Sequence, residues 1–151
     1  MSADPFGLAR FLEGQARNYE RALAELRAGS KQTHWSWYIF PQLAGLGESA
    51  TSIHYAIRSL DEARAFFAHP LLGPRLHECV ATMNAHAGAL PEEILGDVDA
   101  MKFHSCVSLF ARVAAPGSVF QQALDLFFGG RPDPTTLALL ESAGGTGPPP
   151  A

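Results

Sequence analysis

Lys31, His34, Trp35, Trp37 and Tyr38 crowd a cation, an imidazole, two indoles and a phenol into one short segment. On a helical projection Lys31, His34, Trp35 and Tyr38 fall within about a third of the circumference. Such a face can stack a base or sugar on an indole while the lysine and histidine meet phosphate or carboxylate oxygens, because a cation and a π face suit the two ends of a nucleotide-like ligand. His34 is the candidate general acid or base, since an unperturbed imidazole titrates at about 6.5. The same residues also suit an aromatic core segment whose polar tips find backbone partners. Gln42 and Ser49 flank a loop containing Gly45 and Gly47 and are candidates for orienting hydrogen bonds.

A second chemical segment runs from Asp97 to Ser108. The chain has nine arginines but only two lysines, Lys31 and Lys102, and each lies in one of these two segments. A partly buried lysine serves as a compact charge or, once desolvated, as a base or nucleophile, roles closed to arginine. Helical spacing sets Asp99 and Ser105 one turn either side of Lys102, an Asp–Lys–Ser row in which Lys102 and Ser105 are catalytic candidates and Asp99 and Ser108 line the ligand. The structural alternative pairs Asp99 with Lys102 and turns the serines onto carbonyls one turn back.

Composition bounds the rest. The 151 residues are 47% hydrophobic and 17% charged with a net charge of −4, which suits one globular domain and excludes a disordered chain. An acidic balance excludes general nucleic-acid binding through the phosphate backbone. No apolar run is long enough to span a bilayer, and the N-terminus lacks the order of a signal peptide, so a cytoplasmic protein is expected. Cys79 and Cys106 sit in apolar segments and read as buried free thiols. The six histidines hold no i, i+4 pair and there is no CxxC, so no metal is expected, and no phosphate-loop or dinucleotide fingerprint calls for a cofactor.

Positioning these segments falls to helices. Asp4–Pro5 starts a long amphipathic pattern through Leu8, Phe11, Leu12, Tyr19, Leu23 and Leu26 that ends at Gly29. A short buried helix precedes Pro41, and Ser59–Glu62 fits a capping box for a helix to Ala68. Leu71 to about Ala87 has helical period, Pro91–Leu95 is a short acidic turn, and Asp97 or Asp99 is placed to cap a central helix near 98–113 that is apolar nearly all round. Val119–Phe128 is bounded by Gly129–Gly130, and Pro134 opens a last helix to about Glu141. His54–Ile57 is the one candidate strand. The expected fold is all-α, a compact orthogonal bundle of about six to seven helices over residues 1–142, with a flexible Gly/Pro tail at 143–151.

The pattern Lys31-x-x-His34-Trp35-x-Trp37-Tyr38-Ile39-Phe40-Pro41-Gln42, followed by Gly45-Leu46-Gly47 and Ser49, resembles a family of small uncharacterised proteins, a domain of unknown function that often carries the label calpastatin. The resemblance continues through Ser59–Ala63, His69–Leu76, Asp99–Phe110 and Phe120–Gly130, from about Phe11 to Leu140. It implies a mainly helical fold and supplies no reaction. Relatives carry paired serines where this chain has His104–Ser105. The label itself does not fit, because a calpain inhibitor is a long, polar, disordered repeat chain.

The resulting expectation is a cleft between the 31–49 segment and the central helix that binds, and hydrolyses or transfers, a small anionic nucleotide-derived ligand. A non-catalytic binding module or a self-associating homodimer is the alternative, suggested by the low charged fraction.

Overall fold

Serines set the start of three helices: the hydroxyls of Ser49, Ser59 and Ser118 accept the backbone N–H of Ser52, Glu62 and Gln121. The computed structural model describes residues 4–144, and these form ten helices with no strand. They are α1 (Ala9–Gln15), α2 (Tyr19–Ala28), α3 (Ser36–Ile39), α4 (Ala50–His54), α5 (Leu60–Ala68), α6 (Leu72–Asn84), α7 (Pro91–Leu95), α8 (Asp97–Ala111), α9 (Val119–Phe128) and α10 (Pro134–Gly144). The architecture is all-α. The sequence of the expected tail lies, from residue 145 on, outside the described residues.

The helix count exceeds the expected six to seven because α4 forms where a loop is expected, the acidic turn at Pro91–Leu95 is a separate helix, α7, and the first helix is divided. The amphipathic pattern before Gly29 breaks at Ala16–Asn18, where Gln15 turns inward. Its amide, 2% exposed, donates to the Tyr38 carbonyl at 2.7 Å and accepts from Arg75 at 3.2 Å. Gly14 lies so close to Tyr38 that a Cβ there would stand 2.7 Å from the ring. Tertiary packing against α3 thus overrides a continuous helical pattern.

The His54–Ile57 stretch is a helix end followed by a single bridge: Ile57 donates to the Gln42 carbonyl at 2.8 Å and accepts from Ala44 at 2.7 Å. This contact holds the glycine loop against the core. His69 closes α5 and its Nδ1 accepts from Leu71 and Leu72, so one imidazole caps the next helix. Only half of the expected box at the start of α5 forms: Ser59 caps Glu62 N, but the buried Glu62 carboxylate accepts from Arg58 N, one residue before the cap, and forms an ion pair with Arg10.

Helix α8 packs against α3, α5, α7, α9 and α10. Phe103, Cys106, Val107, Leu109 and Phe110 are fully buried, which makes its second half the centre of the core. Its first half departs from the all-round apolar reading: Val98 and Met101 are 66% and 70% exposed. Gly96, not an aspartate, is the N-cap residue, with φ +85°. Both cysteines are buried and free, and burial pushes the Cys79 thiol up to about 12.

Candidate functional site

The segment that feeds α3 is shaped by Glu25, an acid in the last turn of α2, where the helix dipole disfavours negative charge. Its carboxylate accepts from Gln32 N at 2.8 Å, Thr33 N at 3.0 Å, Thr33 Oγ1 at 2.7 Å and Trp35 Nε1 at 2.8 Å. Burial works against the charge, yet the Thr33, Gln32 and Trp35 donors hold the carboxyl down at about 2. Lys31 N donates to the Ile94 carbonyl at 2.8 Å, which ties the same segment to α7 and so to the start of α8.

Between this segment and α8 lies a cleft of about 260 Å³ lined by Lys31, His34, Trp35, Ser36, Trp37, Val98, Asp99 and Lys102. Lys31 Nζ is 2.7 Å from Asp99 Oδ2, and Lys102 Nζ is 3.4 Å from Asp99 Oδ1, so each carboxylate oxygen serves a different ammonium. Each ammonium also stands over an indole: Lys31 is 5.0 Å from the Trp35 centroid and Lys102 4.8 Å from that of Trp37. The Lys31 side chain is only 6% exposed, and its Nζ donates to the Thr33 carbonyl as well. Burial opposes the charge on Asp99, but the hydrogen bond and positive charge of Lys31, helped by Lys102, hold its carboxyl below the usual range. Two lysines against one aspartate leave the lining residues with one excess positive charge when His34 is neutral.

The structure brings Lys31, His34, Lys102 and Asp99 to one cleft, with His34 exposed at its lip. It places other candidates differently. Trp35 is 1% exposed, with its ring against Phe40 and its Nε1 on Glu25, so no face is left for stacking a ligand. Trp37 is half-buried and also borders a smaller cavity of about 90 Å³ that holds Gln42, Gly45, Gly47 and Arg58. Tyr38 packs edge-on to Tyr55 at 5.3 Å, and its hydroxyl donates to the His34 carbonyl. Ser49 is spent on capping α4.

The Asp–Lys–Ser row does not form, because the serines turn away from Lys102 toward α10. Ser105 Oγ donates to the Met101 carbonyl at 3.0 Å and lies 3.4 Å from Asp133, while Ser108 Oγ donates to the His104 carbonyl and accepts Asp133 N at 2.8 Å. Asp133 in turn accepts from Thr136 N and Oγ1 to begin α10. His104 stacks on Phe128 at 3.9 Å and bonds the Arg131 carbonyl. This part of α8 anchors helices, and neither serine borders the lysine cleft.

Ser36 was not among the candidates read from the sequence. It lines the cleft, is 2% exposed, and its hydroxyl has no hydrogen-bond partner among the described residues. Leaving a buried hydroxyl unpaired costs about 1–3 kcal/mol. Glu25 had one sequence signal, an acid where a helix end favours a base. Ser36, between two tryptophans, had none.

The family described as "Protein of unknown function (DUF1810)" matches residues 5–140. This chain belongs to that family. The crystal structure of the conserved hypothetical protein Rv1873 from Mycobacterium tuberculosis is similar to this DUF1810 chain, with a TM-score of 0.88 and 47% identity over 91% of this chain and 98% of that one. No curated protein matches. The sequence resemblance to a domain-of-unknown-function family is therefore correct. Among the described residues no helix is long and apolar enough to cross a membrane, and no three His, Cys, Asp or Glu side chains are grouped as metal ligands.

Proposed function

We propose that the cleft binds a small anionic ligand, with nucleotide-derived compounds the first class to test. The observation that carries this reading is the pair of lysines, at most 17% exposed, that share one aspartate while each covers an indole. Positive charge set in a concave, partly desolvated wall attracts anions more strongly than the same charge in water. A volume of about 260 Å³ lies under the roughly 300–1,000 Å³ of sites for drug-sized ligands, which favours a phosphate or carboxylate on a small body over a whole dinucleotide. His34 at the lip is the lining group suited to proton transfer, so hydrolysis or transfer of the ligand would run through it.

A thermal-shift screen with nucleoside monophosphates, sugar phosphates, ADP-ribose and NAD tests the reading. Wild type is expected to be stabilised by at least one small anion, with the shift lost in Lys102→Met; no shift with any anion would overturn it. His34→Ala is expected to retain binding and to lose any turnover of the bound compound.

Self-association is the second reading. Val98 and Met101 are exposed one turn apart on α8, and a second copy would cover them. Sedimentation of wild type against Met101→Glu decides it: a dimer converted to monomer supports it, and a monomeric wild type removes it.

A further inference from the structure

We infer that the ligand carries a dianionic tetrahedral oxyanion, a phosphate monoester in chemical class, and that Asp99 holds the two ammonium groups which that oxyanion takes over. The inference rests on the anion-binding reading above.

The carboxylate of Asp99 is split, one oxygen to Lys31 and the other to Lys102. A group that takes over both ammonium groups must offer an oxygen to each, a condition that a carboxylate and a phosphate both meet. Ser36 offers a third donor: the residue lines the same cleft, and its hydroxyl, buried in the wall, has no partner among the described residues. The three terminal oxygens of a phosphate monoester match the two lysines and the serine, whereas a carboxylate has two oxygens for three donors. The fourth oxygen, the ester, leads the rest of the ligand outward past exposed His34.

The exchange is feasible at Lys102. Its 3.4 Å contact with Asp99 is loose beside the 2.7 Å contact of Lys31, so the Lys102 ammonium has the weaker hold to give up. Asp99 is then an internal competitor, and removing its charge should strengthen binding. A residue that only positions the lysines would show the opposite.

Isothermal titration of the full chain with glycerol phosphate, inorganic phosphate and acetate at pH 8 tests this, using wild type, Asp99→Asn and Ser36→Ala. Both phosphates are expected to bind wild type at least about tenfold more tightly than acetate. Asp99→Asn should tighten glycerol phosphate by about tenfold, and Ser36→Ala should weaken it by about tenfold, the effect of one hydrogen bond to a charged group. Acetate binding as well as phosphate, or Asp99→Asn binding no better than wild type, overturns the inference while leaving an anion site in place. Failure of all three probes on wild type instead overturns the anion-binding reading. If circular dichroism shows Asp99→Asn unfolded, the phosphate-over-acetate preference and its loss in Ser36→Ala decide the question.

Discussion

Lys31 and Asp99 form a 2.7 Å ion pair that locks the aromatic segment to the first turn of α8, with the lysine side chain 6% exposed. Lys102, on the same helix as Asp99, is the looser partner at 3.4 Å. The two lysines should therefore behave differently. Lys31→Met strips a half-buried carboxylate of its close partner and is expected to cost about 2 kcal/mol in urea unfolding at pH 7, between the scales of exposed and buried pairs. Lys102→Met is expected to cost under about 1 kcal/mol, as for a weaker and more open pair. Equal costs would mean that Asp99 leans on both lysines alike.

Glu25 is expected to make the stability of the cleft wall pH-dependent. Its carboxyl sits at about 2 against an ordinary 4.5, so its contribution is fully present above pH 4.5 and is lost as pH falls toward 2. Asp99, also held low, acts in the same direction. Glu25→Gln is expected to lower stability by about 1 kcal/mol at pH 7, the scale of charge-assisted hydrogen bonds discounted for the partial exposure of the carboxylate. The gap between variant and wild type should close as the pH is lowered from 4.5 to 2. Urea midpoints across that range check it, and a gap that stays constant would show that the charge of Glu25 does not matter.

The parts of this structure readable in the sequence are those decided locally. Ser59 capping Glu62, Gly129 ending α9 in a left-handed turn and Pro134 opening α10 each act within one turn of chain. The link between Lys31 and the central helix was legible only through an odd distribution, two lysines confined to two polar-aromatic segments. What escaped is set by long-range packing. Trp35 looks like a stacking platform until Glu25 claims its Nε1 and Phe40 its ring. Ser105 looks like a neighbour of Lys102 until Asp133, from a distant loop, draws the serine side of α8 toward α10.

Gly14 shows the same override in reverse. Alanine in a helix is ordinarily favoured over glycine by about 1 kcal/mol. Here a Cβ would lie 2.7 Å from Tyr38 Cγ and 3.1 Å from its Cβ, and Tyr38 is buried against Tyr55 with little room to shift. Gly14→Ala is therefore expected to destabilise the protein by about 1–3 kcal/mol, as overpacking does. Urea unfolding reads this directly. A stabilised variant would mean that α1 moves away from α3 at little cost.

Ser105 and Ser108 separate anchoring from binding. Ser108 Oγ is the acceptor for Asp133 N at 2.8 Å and holds the residue that starts α10. Ser108→Ala leaves that N–H without its partner and is expected to cost about 1–3 kcal/mol. Ser105 donates to a carbonyl of its own helix at 3.0 Å, an acceptor already engaged by the helix, so Ser105→Ala should cost under about 1 kcal/mol. Neither hydroxyl borders the lysine cleft, so both variants, once shown folded, should bind glycerol phosphate within about twofold of wild type, while Lys102→Met does not. Loss of binding in Ser105→Ala at unchanged stability would return that serine to the site and move the anion deeper along α8.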